Sequence, residues 1–296
     1  MPDLIELVVL SGKGGTGKTS LVGALAALAP DKVLCDADVD AADLHLLLSP
    51  TIQGRHDFYA GHKAAIDPAR CVQCGDCLDW CRFGAISPSL EIHPLLCEGC
   101  GVCWQLCPVQ AIDFPDNLCG EWYISDTRFG PFVHARLGIA EENSGKLVAL
   151  VRREARRLAE ELGLPWIITD GPPGLGCPVI ASLGDASAVL IVTEPSVTGR
   201  HDLERVAALA EHFSLPVSVL VNKADLHWDT SQQIEAYCRR KKYGFLGHLP
   251  FDPDVTRAQV EGKTIMEYDK KRLHALLHEV WEKLPSQIAG TRPNEP

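Results

Sequence analysis

Short apolar runs alternate with stretches of helical period at both ends of this 296-residue chain, and the alternation stops in the middle. Residues 4–10 read as a buried strand and the Ala/Leu-rich residues 18–28 as the helix that follows it. Residues 32–35 make a second short strand that ends at Asp36. From about Thr51 the rhythm breaks. It resumes with strand-like runs at 119–125 and 132–137, and with a long helix opening at Asn143 and running to about Leu162. The strand at 166–169 delivers Asp170, and strands at 188–192 and 217–221 flank a helix from about Gly199 to Phe213. Leu249 to Asp252 ends the last strand, and a terminal helix from about Asp269 to Leu284 covers the sheet. Buried strands alternating with helices predict an α/β fold built on a mostly parallel sheet.

The first strand-to-helix turn carries chemistry. Gly12 to Thr19 satisfies the phosphate-loop pattern G-x-x-x-x-G-K-[ST], with a strand before it and a helix after it. Gly12, Gly14, Gly15 and Gly17 remove side chains, so that successive backbone N–H groups can turn toward phosphate oxygens. Thr16 and Ser20 complete the set of loop contacts. Lys18 is placed to reach the β- and γ-phosphates and the Thr19 hydroxyl to hold Mg²⁺. Two aspartates lie at the C-terminal ends of strands, the edge of an α/β sheet where ligands bind. Asp36 opens an acidic stretch that includes Asp38, Asp40 and Asp43, and Asp170 follows an apolar strand, the Walker B arrangement that places a carboxylate on Mg²⁺ or its water. Gly171 and Gly174 allow the loop beyond Asp170 to move with a γ-phosphate. Asn222, Lys223 and Asp225 fit the N-K-x-D pattern of base recognition, which leaves GTP as the alternative to ATP.

The middle of the chain has a different origin. Of twelve cysteines, eight fall between residues 71 and 107 in two runs of C-x₂-C-x₂-C-x₃-C. Zinc sites more often use two separated C-x₂-C pairs. The doubled pattern, with Ala85-Ile86 and Ala111-Ile112 at matching places after each run, resembles a bacterial two-cluster ferredoxin. That resemblance implies two [4Fe–4S] clusters with crossed ligation: Cys71, Cys74, Cys77 and Cys107 for one, Cys97, Cys100, Cys103 and Cys81 for the other. The first run departs from the pattern, since Cys81 is followed by Arg82 and not proline.

Lys13, directly after the first loop glycine, turns the phosphate loop into K-G-G-T-G-K-T, and here the chain resembles the MinD/Mrp/ParA group of ATPases. The resemblance implies that Lys13 crosses a nucleotide-sandwich dimer to the phosphates of the other subunit. It implies that Asp36 lies near Mg²⁺, that Asp38 positions the attacking water, and that Asn222 and Lys223 lie against adenine; Pro250 and Phe251, at the end of the last strand, are placed to pack on the base. Catalysis then falls to Lys13, Lys18, Asp38 and Asp170, with Thr19, Asp36 and Asp170 around the metal. The segments around Asn143 to Lys146, Thr193 to Ser196 and His201 to Leu203 are similar to the Mrp branch, and no physical role follows for them from the sequence. Cys177 sits in the second switch region, near the interface that a dimer would form.

Composition narrows the partners. A net charge of −11 argues against a nucleic-acid surface, and no run approaches the roughly 20 apolar residues of a membrane span. The start of the chain runs directly into the first strand, which predicts no signal peptide and a cytoplasmic protein, where twelve cysteines call for a role other than disulfides. Residues 1–62 and 120–296 are then a discontinuous nucleotide-binding domain, with an α+β ferredoxin-like domain inserted at 63–119. The expected protein is an ATPase binding ATP, Mg²⁺ and two [4Fe–4S] clusters. It would act as a homodimer or as a heterodimer with a related ATPase, coupling ATP turnover to electron transfer or metal-cluster delivery to a redox or metalloprotein client. An Mrp-type cluster carrier and a MinD-like positioning switch are the alternatives.

Overall fold

The structure, a computed structural model, describes residues 4–138, 141, 144–268 and 272–290. Asn143 and Asp269, where the pattern places two helix starts, lie outside the described residues. The strands are β1 (Ile5–Ser11), β2 (Lys32–Asp36), β3 (Thr51–His62), β4 (Ala65–Ile66), β5 (Ile112–Asp113), β6 (Asp116–Thr127), β7 (Gly130–Leu137), β8 (Trp166–Pro173), β9 (Ala188–Thr193), β10 (Val217–Val221) and β11 (Gly244–His248). The helices are α1 (Lys18–Leu28), α2 (Leu44–Leu48), α3 (Asp76–Trp80), α4 (Val102–Leu106), α5 (Ser144–Leu162), α6 (Cys177–Leu183), α7 (Val197–His212), α8 (Trp228–Lys241), α9 (Pro253–Val260), α10 (Ile265–Tyr268) and α11 (Arg272–Gly290). Nine strands form one sheet in the order β11-β10-β9-β1-β8-β2-β7-β6-β3. Every neighbouring pair from β11 to β7 is parallel, which is the α/β architecture the strand–helix alternation predicts.

The chain divides into two compact units. One comprises Met1–Arg55, Trp122–Arg136 and Ser144–Pro296, and the other His56–Glu121 and Leu137–Asn143. In the first, the pleat of β1 sends Leu7 and Val9 to one face and Val8 and Leu10 to the other, where each pair joins a separate hydrophobic cluster. The first cluster packs Leu21, Val22 and Leu25 of α1 with Leu273, Leu277 and Leu284 of α11; the second packs Val179, Leu203, Val206 and Ile234. Because both faces are covered, the central strands read as continuous apolar runs. β3 is the exception. Phe58 and Ala60 are its only buried side chains, so its twelve residues carry no apolar alternation, and the sequence reads there as a break.

Two polar knots fix the periphery. Glu6 on β1 is 1% exposed, and its carboxylate takes Arg152 Nε at 2.7 Å and Arg156 Nη2 at 2.9 Å, which locks α5 to the sheet. The Arg128 guanidinium donates to the carbonyls of Leu47 and Leu48 and pairs with Glu267, whose carboxyl it holds down at about 2. Among the described residues no helix is long and apolar enough to cross a membrane.

The second unit repeats itself internally. Its two short helices, α3 and α4, each start after a left-handed glycine, Gly75 and Gly101, and pack on each other. β4 and β5 pair antiparallel, so the start and end of the cysteine-rich stretch meet. Arg70 fastens that junction, bonding Asp67, Asp113 and the carbonyl of Gln110.

One buried group makes the first unit sensitive to acid. His134 on β7 is stacked on Phe132 and Tyr123, with its Nε2 3.0 Å from Ser125 Oγ. Burial, and to a lesser degree His45, lowers its pKa from 6.5 to about 4. The unfolded chain therefore binds the proton first, and stability is lost as pH falls from 6.5 toward 4. Denaturant titrations at pH 7 and pH 5 should give a loss of about 2 kcal/mol in wild type that His134→Phe lacks, the difference between the proteins isolating this group.

Candidate functional site

The phosphate loop is held from behind. β1 ends at Ser11, and the chain enters α1 through Gly17 in a left-handed conformation with φ of 92°. A Cβ at Gly17 would overlap Asn222 Nδ2, and one at Gly12 would overlap Asp202 Cβ, so a side chain at either position must displace its neighbour. Asn222 Nδ2 donates to the Thr16 carbonyl at 2.7 Å and Lys223 Nζ to the Gly15 carbonyl at 2.7 Å. These bonds occupy the loop's carbonyls and leave its N–H groups as the free polarity, the arrangement that favours an anion.

Strand register brings the acidic residues together. Asp36, the last residue of β2, and Asp170, inside β8, face each other in direct register on neighbouring parallel strands, and both are essentially fully buried. Lys18 enters from the first turn of α1, with Nζ 2.6 Å from Asp170 Oδ1 and 3.3 Å from Asp38 Oδ2. Burial opposes the ammonium, and the carboxylates of Asp170, Asp38 and Asp36 outweigh it, raising the Lys18 pKa. Burial raises Asp36 well above the usual carboxylate range, with Asp170 adding to it, and burial likewise raises Asp38 against the pull of Lys18. Asp36 is also bonded by the backbone N–H groups of Asp38 and Leu44, so it shapes the acidic loop.

Two buried oxygens, Asp170 Oδ2 and Thr16 Oγ1, have no hydrogen-bond partner. Unsatisfied buried polar atoms are costly, and one on the carboxylate that holds Lys18, the other on the phosphate loop itself, suit a phosphate–metal ligand. A cavity of about 400 Å³ opens at the loop, within the range of small-ligand sites. Thr16, Lys18, Thr19 and Asp38 line it on one side, and Asn222, Lys223, Pro250, Phe251 and Gln259 on another. Gly14, Gly15, Gly17 and Ser20 also line it, whereas Gly12, Lys13, Asp36, Asp170 and Asp225 do not. Asp225 instead accepts from the N–H of Phe251 at 2.6 Å, fixing the wall that Pro250 and Phe251 form. Lys13 pairs with Glu194 of its own chain at 2.6 Å.

In the second unit, a small apolar cavity is lined by Cys71, Cys74, Cys77 and Cys107, together with Ile66, Leu90, Pro108 and Ile112. Three of these thiols come from the first run and one from the second, the same set that the crossed pattern groups. The thiol of Cys103 lies close enough to feel Cys97, Cys100 and Cys77, and Cys81 caps the C-terminal end of α3. Burial raises the Cys77 and Cys103 thiols, while backbone N–H groups at Leu78 and Trp104 favour their thiolates. The N–H of Ala111 donates to Cys107 Sγ at 3.2 Å. Amides directed at sulfur suit iron–sulfur ligands, whose potentials they tune. Among the described residues no three His, Cys, Asp or Glu side chains group around a single-ion point.

Comparison with known proteins bears on both units. The CobQ/CobB/MinD/ParA nucleotide-binding domain matches residues 7–265 of this sequence. The chain belongs to this family. An uncharacterized protein of Methanocaldococcus jannaschii is 30% identical over 290 residues, covering 96% of this chain and 98% of its own. A ferredoxin of Streptomyces griseus is 34% identical over 86 residues, covering 25% of this chain and 82% of the ferredoxin. The cell-division ATPase MinD of Pyrococcus furiosus superposes with a TM-score of 0.58 at 16% identity, covering 95% of this chain and 98% of MinD. MinD of Pyrococcus horikoshii, solved with Mg-ADP, superposes with a TM-score of 0.57 at 16% identity, over 99% of this chain and all of MinD. These likenesses establish the fold of a MinD/ParA-type P-loop ATPase with a ferredoxin-like cysteine-rich region.

The sequence missed several members of this site. Glu194, inside a segment the sequence marks without a role, meets Lys13, and Gln259 on α9, which belongs to no local pattern, donates to Ser20 Oγ at 2.8 Å. α8 and α9 themselves are legible only through their caps, His227 and Asp252, whose side chains accept from Thr230 and Asp254 N–H groups. The loop geometry makes a direct prediction. Gly17→Ala should lower unfolding free energy by about 1–2 kcal/mol through its positive φ, besides displacing Asn222. Gly14→Ala, whose Cβ would meet nothing within 4 Å, should cost under about 0.5 kcal/mol in the same denaturant titration.

Proposed function

We propose that this MinD/ParA-type ATPase is an iron–sulfur protein that hydrolyses ATP as a dimer and couples turnover to electron transfer or metal-cluster delivery to a redox or metalloprotein partner. The observation that carries this reading is the cavity lined by Cys71, Cys74, Cys77 and Cys107, in a chain whose other unit carries a braced phosphate loop. Residues 63–119 form the inserted ferredoxin domain, and residues 1–62 and 120–296 the nucleotide-binding domain around it. Cys97, Cys100, Cys103 and Cys81 hold the second [4Fe–4S] cluster. A cytoplasmic setting keeps these thiolates from forming disulfides.

ATP would be bound by the loop amides and Lys18, and Mg²⁺ by Thr19, Asp36 and Asp170. The metal neutralises charge developing on the phosphates when bound. Lys18 trades contacts with Asp170 and Asp38 for phosphate, and this frees Asp38 to orient water. Pro250 and Phe251 offer an apolar wall to the base beside Asn222 and Lys223, with Asp225 engaged on Phe251, which favours adenine over guanine. Lys13 serves the phosphates of the second subunit.

Anaerobically prepared protein should hold on the order of eight iron and eight sulfide per chain. Cys74→Ala and Cys107→Ala should each lose about half, and the same spectroscopic centre. Stoichiometric zinc with little iron would sink the cluster assignment. Lys18→Ala should lose Mg-ATP binding in calorimetry while keeping its iron. Coupling is read from cluster midpoint potentials with and without a non-hydrolysable ATP analogue. A shift of about 30 mV in a one-electron couple, roughly 0.7 kcal/mol, is the expected scale, and potentials that ignore nucleotide would remove this form of coupling.

A further inference from the structure

The turn between β9 and α7 carries a sequence motif, Thr193 to Ser196, with no role in the chemistry above. In the structure it stands against the phosphate loop. Glu194 Oε1 is 2.6 Å from Lys13 Nζ, and Thr198 Oγ1 accepts from the same ammonium at 3.4 Å. The other carboxylate oxygen of Glu194 is 3.6 Å from Lys223 Nζ, the group that braces the Gly15 carbonyl. The turn is stiff. Ser196 caps α7 by accepting from Gly199 N–H, and Thr193 Oγ1 donates to the Gly199 carbonyl. Gly199 itself is packed so closely that a Cβ would lie 2.5 Å from the Glu194 carbonyl. Desolvation works against the Glu194 charge, yet the Lys13 and Lys223 ammoniums keep it below the usual carboxylate range.

We propose that Glu194 is the positioning residue for Lys13, holding its ammonium on the phosphate loop of its own protomer until a second copy presents phosphate. The inference rests on the reading that Lys13 acts across a dimer. Lys13 is 37% exposed, so its pair with Glu194 is a screened contact that phosphate can outcompete. When Lys13 leaves, Glu194 keeps Lys223 as a counter-charge, so release strands no buried carboxylate. Glu194 thus sets a threshold, favouring the single chain over the paired one in the absence of phosphate.

Two measurements test this on the full chain. The first is the rate at which a small acylating reagent modifies Lys13, read by mass spectrometry against the other lysines without nucleotide. Glu194→Gln should raise the Lys13 rate about three- to five-fold, the scale of an exposed ion pair. Glu194→Asp, one methylene shorter, should fall between the two. An unchanged rate overturns the proposal. The second is self-association with a non-hydrolysable ATP analogue, followed by sedimentation. Glu194→Gln should associate at a several-fold lower protein concentration than wild type, and the gain should vanish in a Lys13→Ala background. A gain that persists without Lys13 overturns the positioning role. Wild type and Glu194→Gln that both stay monomeric would instead overturn the dimer reading and the release step with it. Wild type that associates while Glu194→Gln shows no gain would remove the threshold alone.

Discussion

The Lys18 ammonium among three carboxylates is the contact on which the nucleotide-binding unit depends. Asp36 and Asp170 are neighbours because β2 and β8 run parallel and in register, and both side chains are sealed from water. Two like charges so placed are tolerable only with a cation between them or a proton on one. Lys18 supplies the cation, and its position follows from a chain of supports. α1 must begin where it does, which requires Gly17 in a left-handed conformation, which in turn requires Asn222 to fit against it without a side chain between. The Asn222 and Lys223 bonds to loop carbonyls, reaching more than two hundred residues back along the chain, exist to hold that geometry.

The parts of this arrangement that sequence makes legible are those written in consecutive residues. α1 is one case: its bounds, Lys18 to Leu28, are the ones the Ala/Leu pattern predicts. β10 is another, four apolar residues and Ser218, all buried. β3 was unreadable because ten of its twelve side chains avoid the core, so burial left no trace in the pattern. α8 has a narrow apolar stripe, Ile234, Tyr237 and Cys238, set among charges, and a stripe that thin resembles a polar connection. The N-K-x-D pattern draws attention to Asn222, Lys223 and Asp225, but a pattern names neighbours in sequence only. That Asn222 and Lys223 reach the phosphate loop and Asp225 reaches Phe251 is a statement about distant pairs. Glu194 is the plainest example, a partner to Lys13 that follows the neighbouring strand β9 in the sheet yet lies far from it in the sequence.

Charge balance links the residues of the loop to what they are built to receive. Around Lys18 the chain sets three carboxylates against one ammonium, a surplus of negative charge that matches a divalent cation. In the proposed reading, an ATP–Mg²⁺ pair entering this corner would exchange partners: Lys18 would turn from carboxylate to phosphate, and the carboxylates from lysine to metal. The proposed release of Lys13 would follow the same exchange, since its carboxylate partner also faces Lys223. Both lysines are therefore prepaired with carboxylates of their own chain, so phosphate is recognised by the difference between two ion pairs and not by the full attraction of one. Differences of that kind are small, and small differences are what allow binding to be reversed once hydrolysis removes the γ-phosphate.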